Sequence, residues 1–176
     1  EKSYSKLLNK ETGIDVEWAI DGNDHNIYII QTRPETIHSN DDNLEIHNYI
    51  LDKKDEVILT GVAVGDKVSS GKVKILKDIY DSDNFEHGDI LVTEMTTPDW
   101  EPLMKISSGI ITDKGGRTCH AAIVARELGL NAVVGCSNAT NLLTDSQSVT
   151  ISCCEGETGF IYKNILPFHI EKLKLT

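Results

Sequence analysis

Apolar positions along the chain fall mostly into short β-type runs, and few stretches carry helical spacing. Ile14-Asp15-Val16-Glu17-Trp18-Ala19 and Ile27-Tyr28-Ile29-Ile30-Gln31 flank the turn-prone Asp21-Gly22-Asn23-Asp24, which predicts a hairpin ended by Arg33-Pro34. Two strands alone are marginally stable in water, so the hairpin is expected to belong to a sheet whose other strands lie outside this chain. Between Glu35 and Glu56 the apolar residues thin out and acids outnumber the two cations Lys53 and Lys54. That composition predicts a linker with one or two helical turns near Asn43 to Leu51; a plain solvated surface segment is the other reading.

From Val57 the β pattern resumes. Val57 to Val64, Gly71 to Leu76 and Asp89 to Thr93 read as strands, with Ser69-Ser70-Gly71 and His87-Gly88-Asp89 as turns. Thr97-Pro98-Asp99 starts a short helix through Trp100 to Ile106, since Thr or Asp at that position accepts the free N–H groups of a first turn. Ile110-Ile111-Thr112 follows as a buried strand. Then come the polar loop Asp113-Lys114-Gly115-Gly116-Arg117, an Ala-rich helix from Thr118 to Leu128 closed by Gly129, and the strand Ala132-Val133-Val134. This order predicts a βαβ-like unit with a left-handed glycine after the helix. Ser148 to Ser152 and Phe160 to Tyr162 read as a hairpin about a five-residue loop.

The chain has 176 residues with 17 Lys plus Arg against 28 Asp plus Glu, a net charge of −11. Such an acidic balance disfavours a broad phosphate-tracking surface, so no nucleic-acid partner is expected. No apolar run approaches the roughly 18 residues of a membrane span, and the start has no signal-peptide core; the expectation is a cytoplasmic protein without a membrane partner. The first residue is Glu1 rather than Met, which reads as a fragment. The four cysteines form no C-x-x-C pair and read as reduced thiols.

His120 falls in the first turn of the Ala-rich helix, with Thr118 as the expected N-cap. A helix start carries unpaired N–H groups and about half a positive charge, both favourable to an anion. An imidazole with a free ring nitrogen is also a competent nucleophile near neutral pH. Lys105, Lys114, Arg117 and Arg126 outnumber Asp113 and Glu127 between residues 105 and 127. Two readings stand: a phosphoryl-accepting histidine, or a capping-region histidine with one satisfied hydrogen bond. Gly65 to Lys72 only superficially resembles a P-loop, because the glycine spacing is wrong and Val73 stands where Ser or Thr must reach magnesium.

Thr97-Pro98-Asp99-Trp100-Glu101-Pro102, the run from Gly115 through Gly129 containing Gly115-Gly116-Arg117-Thr118-Cys119-His120-Ala121-Ala122, and Ala132-Val133-Val134-Gly135 together resemble the mobile phosphohistidine domain of the phosphoenolpyruvate synthase (pyruvate, water dikinase) family. Upstream, Asp15-Val16-Glu17-Trp18 and Gln31-Thr32-Arg33-Pro34-Glu35-Thr36 resemble the end of that family's ATP-grasp domain. The sequence departs from the family pattern at Thr32, usually Ala, and at Asp113-Lys114, usually Asn-Arg, which sets an acid beside the glycine loop.

The resemblance implies an α/β fold: a three-layer β/β/α swivelling phosphohistidine domain over 57–176, an acidic linker over 37–56, and a hairpin remnant of an ATP-grasp domain over 1–36. It implies that His120 takes phosphoryl from ATP and passes it to pyruvate, the whole cycle converting ATP, pyruvate and water to AMP, phosphoenolpyruvate and phosphate. Gly115, Gly116, Arg117 and Thr118 would support the phosphate loop. Gln31 and Arg33 would contact nucleotide, and Glu17 with Gln31 would hold Mg2+. ATP and Mg2+ serve the full-length enzyme and neither is needed by the isolated phosphohistidine domain; with most of the ATP-grasp domain and the pyruvate-binding barrel missing, this chain alone is expected to be inactive. The implied partners are the ATP-grasp domain and the pyruvate-binding barrel of the same full chain, with a regulatory kinase/phosphorylase acting on Thr118. The alternatives are a related dikinase or phosphotransferase with another acceptor, and a non-catalytic anion-binding module.

Overall fold

A computed structural model describes residues 14–34 and 45–174. The chain divides into two units, Glu1–Leu44 and Glu45–Thr176.

In the first unit, β1 (Ile14–Ile20) and β2 (Ile27–Pro34) pair antiparallel, as the sequence predicts, with a bulge between Glu17 and Trp18. Asp21 and Asp24 hold the turn by accepting the N–H groups of Asn23 and Asn26 at 2.7 and 2.8 Å. Val16, Trp18, Ile20, Ile27, Ile29 and Ile30 are all exposed. Glu35 and Thr36, together with residues 37–44 of the expected linker, lie outside the described residues.

The second unit is dominated by β4 (Val57–Val64), β5 (Val68–Ile75), β6 (Ile90–Thr93), β7 (Gly109–Thr112), β8 (Asn131–Val134), β9 (Ser148–Ser152) and β10 (Thr158–Lys163). They close into a barrel of order β10-β4-β8-β7-β6-β5-β9. β5 through β8 run parallel, and β4, β9 and β10 pair antiparallel.

The parallel strands read as unbroken apolar runs because both faces are buried. Ile90, Val92, Ile111 and Val133 point into the barrel with Val149, Ile151 and Ile161. Their neighbours Leu91, Ile110, Ala132 and Val134 point outward, against Trp100 and Met104 and against Ala121, Ala122 and Ala125. Those residues belong to a 3₁₀ turn (Pro98–Trp100) leading into α1 (Glu101–Ile106), and to α2 (His120–Leu128). Two apolar layers thus separate barrel wall, barrel wall and helix, which is the expected β/β/α architecture.

Two local expectations are corrected. In the stretch expected to be helical near Asn43 to Leu51, the described residues form a strand instead: β3 (Glu45–Leu51) pairs antiparallel with β11 (Phe168–Lys174), Ile50 standing opposite His169. Its ladder partner lies more than a hundred residues away, beyond the reach of local pattern. Ser69-Ser70-Gly71 is not a turn but the middle of β5, where the strand passes from antiparallel β9 to parallel β6. Gly71 is needed there because a Cβ would meet the Gly88 carbonyl at 2.5 Å and Ser108 Oγ at 2.8 Å.

Candidate functional site

β7, a loop, α2 and β8 form the predicted parallel βαβ unit, with β7 and β8 hydrogen-bonded neighbours. Ligand sites in such sheets lie beyond the carboxyl ends of the strands. Thr93 of β6 stands opposite Thr112 of β7, and the alignment continues past both ends: Asp113 N–H donates to the Thr93 carbonyl at 3.2 Å and Lys114 N–H to the Glu94 carbonyl at 2.9 Å. The chain after β6, Glu94-Met95-Thr96, is therefore laid beside the glycine loop after β7.

Within that loop, Thr112 Oγ1 donates to the Lys114 carbonyl at 2.8 Å. Gly115 then turns at φ +120, where any Cβ would meet Cys119 Sγ at 2.7 Å. Only glycine fits both the angle and the space. Gly116 has open space around its Cα, leaving room for a group to approach the backbone. Cys119 N–H donates to the Gly116 carbonyl at 3.1 Å, and α2 begins with His120.

The N-cap is Cys119, not Thr118 as the sequence reading expects, and no side chain caps the helix. The tight turn between Gly116 and Cys119 uses up the residues before the helix, so the extended N-cap conformation shifts by one. Thr118 is exposed instead. At the other end Gly129 adopts φ 65, with Leu130 N–H returning to the Ala125 carbonyl and Gly129 N–H to that of Arg126. This is the predicted left-handed C-terminal closure.

His120 is half-buried at the head of α2, and its Nδ1 lies 2.9 Å from Oγ1 of the buried Thr96. A cleft of about 210 Å³ opens here, walled by Met95, Thr96, Lys114, Gly115 and Cys119 around the imidazole. Thr96 was not singled out by sequence reasoning, although it immediately precedes the recognised Thr97-Pro98 pair.

The local excess of positive charge is cancelled in three dimensions. Lys114 pairs with Glu94, Arg117 Nη2 lies 2.9 Å from Glu157 Oε1, and Lys105 lies 3.8 Å from Glu101. Glu94 and Glu157 come from the β6 exit and the β9–β10 turn, so neither is visible in the 105–127 window. Arg126 Nη1 donates to the Arg117 carbonyl at 2.7 Å, bracing the loop from the helix. The carboxylate of Asp113 accepts the Thr140 N–H at 3.1 Å and the Thr140 hydroxyl at 2.5 Å. It thereby anchors the start of α3 (Ala139–Leu142).

In the hairpin, Glu17 stands directly opposite Gln31 and Asp15 opposite Arg33. Directly opposed residues of a ladder share a face, so Glu17 and Gln31, two of the predicted nucleotide and metal residues, lie on one side. Among the described residues no cluster of three or more His, Cys, Asp or Glu side chains could hold a metal by itself. No helix of the described residues is long and apolar enough to cross a membrane.

The four cysteines are free. Burial pushes the thiols of Cys136 and Cys153 up to about 12, and both pack as small hydrophobes in the barrel core.

Comparison with known proteins gives the class first: residues 85–156 match the family model of the PEP-utilising enzyme, mobile domain, and residues 1–54 that of the pyruvate phosphate dikinase, AMP/ATP-binding domain. Within that class the chain belongs to the phosphoenolpyruvate synthase family. It is 51% identical over 168 residues to phosphoenolpyruvate synthase of Pseudomonas aeruginosa, covering 94% of this chain and 21% of the relative. It is 50% identical over 175 residues to that of Neisseria meningitidis serogroup B, covering 98% and 22%, and 48% identical over 171 residues to that of Escherichia coli K12, covering 97% and 21%. The chain thus spans about a fifth of the length of the curated relatives it matches.

Proposed function

We propose that this chain is the phosphocarrier portion of a phosphoenolpyruvate synthase, in which Nε2 of His120 receives a phosphoryl group derived from ATP and delivers it to pyruvate. The observation that carries this reading is the placement of His120 at the uncapped start of α2 with Nδ1 against Thr96 Oγ1. With Nδ1–H donating to that hydroxyl, Nε2 keeps its lone pair. Attack forms an Nε2–P bond while the P–O bond of the donor breaks and its electrons leave on the departing oxygen. In the return step an enolate oxygen of pyruvate attacks phosphorus, and the N–P electrons go back to Nε2.

Phosphoryl transfer is governed by positioning and charge stabilisation, which the first-turn N–H groups of α2 supply without rearrangement. Gly115 fixes the loop, Gly116 leaves it open to a phosphate, and Arg117 and Thr118 flank it. Thr118 is exposed to a regulatory kinase/phosphorylase, and a phosphate placed there would repel the incoming donor. Thr118→Glu is accordingly expected to lower labelling of His120.

The likeness of residues 1–54 to a nucleotide-binding domain supports ATP as donor. Glu17 and Gln31 offer a carboxylate and an amide oxygen on one face, donors suited to magnesium, and Arg33 a guanidinium for phosphate. A bound magnesium would supply charge neutralisation on the nucleotide, with its remaining ligands from outside this chain. We assign 1–36 to the end of the ATP-grasp domain, 37–56 to the connector and 57–176 to the phosphohistidine domain. The remaining ATP-grasp domain and the acceptor barrel are its partners within the full chain, and the free thiols and need for ATP and pyruvate fit the cytoplasm.

The test uses the full-length parent and its His120→Ala variant with Mg·ATP and no acceptor, followed by peptide mapping of acid-labile, base-stable phosphate. Label on the His120 peptide of the wild type alone is the expected result. Label elsewhere, or none, rejects the reading.

A further inference from the structure

Both cations nearest His120 on the glycine loop are held by carboxylates from other elements, Lys114 by Glu94 and Arg117 by Glu157. These pairs are solvent-exposed, at 65% and 62% for Lys114 and Glu94 and 54% and 83% for Arg117 and Glu157. Exposed pairs of this kind are weak, so either cation can change partners at little cost. Lys114 also forms part of the wall of the His120 cleft. Its ammonium is held above the ordinary lysine value, first by the hydrogen bond it donates to Glu94 and then by that residue's charge. The backbone contact between Lys114 N–H and the Glu94 carbonyl keeps cation and counter-ion in register whether or not the side chains are paired.

Resting on the phosphohistidine reading above, we propose that Glu94 and Glu157 are counter-charge residues of the His120 loop. They hold Lys114, in the wall of the His120 cleft, and Arg117, three residues before the histidine on the same loop, while the imidazole is bare, and yield them when His120 carries a phosphoryl group. The physical basis is a difference in charge. A carboxylate offers one negative charge, whereas a phosphoryl group near neutral pH carries between about 1.5 and 2 and three acceptor oxygens, so the exchange favours the phosphorylated state. The two carboxylates therefore act as competitors that limit how tightly the carrier keeps its cargo. Without them the loop would bind the phosphoryl group more strongly and release it more slowly. Glu94 and Glu157 are positioning residues in this scheme, since each acts through a cation.

The experiment compares the full-length wild type with Glu94→Gln, Glu157→Gln and the double variant. It reads the fraction of His120 carrying acid-labile phosphate at fixed ATP to AMP ratios and low salt, and again near 1 M salt. At low salt the ratio of phosphorylated to free His120 is expected to rise about two- to fivefold in each single variant and further in the double. The rise should collapse at high salt, where exposed charges are screened beyond about 3 Å. Glu94→Asp, which restores the charge, should return to the wild-type ratio. A merely structural role would move neither the salt dependence nor the rescue. An unchanged or lower ratio in the variants, with wild-type labelling normal, overturns the counter-charge proposal alone. Absence of label on wild-type His120 overturns the phosphohistidine reading and this inference with it.

Discussion

The hairpin β1–β2 and the barrel are built from the same kind of residue, yet their surroundings are opposite. Ile29 is 66% exposed while Ile111 is 0% exposed. Both lie in β-rich runs that local pattern reads identically. What separates them is the number of neighbouring strands: the barrel closes its own edges, so Ile111 and the other core side chains find a wall or a helix, whereas among the described residues the hairpin pairs only β1 with β2. An apolar run therefore specifies a strand, and the ladder around it specifies whether that strand stabilises the fold.

The largest expected effect breaks the barrel. Ile111→Ala removes a fully buried side chain between two walls and should cost about 2–5 kcal/mol in urea unfolding of the chain. Gly115→Ala tests the loop that the barrel positions. With φ +120 and Cys119 Sγ 2.7 Å from the new Cβ, it should cost about 1–3 kcal/mol and reduce His120 labelling at least tenfold. Unaltered labelling would show that the loop tolerates a different path.

Alkali sharpens the contrast between buried and open sites. The folded-state thiols of Cys136 and Cys153 are raised from 9.0 to about 12, so between those values the unfolded chain has released protons that the native chain still binds. Stability is accordingly full below pH 9 and falls as pH rises towards 12. A Cys136→Ala, Cys153→Ala double variant should show a flatter alkaline limb, measured by unfolding at stepped pH. Alkylation of the native chain should reach the half-buried Cys119 and Cys154 and spare the other two.

Thr96→Val should lower the rate of His120 labelling about fivefold by removing the hydroxyl at Nδ1, with Thr96→Ser restoring it and the melting temperature nearly constant. The smallest effect belongs to the hairpin. Ile29→Ala should change stability by no more than about 0.5 kcal/mol. A cost comparable to that of Ile111→Ala would show that this face is packed after all.

Much of this was legible locally. The strand, glycine loop and helix around His120 were readable because hydrophobic period and glycine placement are set within a dozen residues. The hairpin was readable for the same reason, whereas the cross-strand pairing of Glu17 with Gln31 came only with the structure. β3 was misread because its partner β11 lies at the far end of the chain, and the N-cap was displaced from Thr118 to Cys119 by the turn at Gly116. Thr96, Glu94 and Glu157 escaped notice because nothing in their immediate surroundings marks them; they matter only through what the barrel brings beside them.

By itself, then, the sequence singled out His120 as the candidate nucleophile and the first turn of a helix as its place, because those depend on residue type and short spacing. Only the tertiary structure decided how that nucleophile is held and which charges face it. Parallel pairing of β6 with β7 sets Thr96 and Glu94 against the loop, and closure of β9 and β10 into the barrel carries Glu157 to Arg117. Such contacts depend on register between distant strands, and register is a property of the closed sheet rather than of any segment within it.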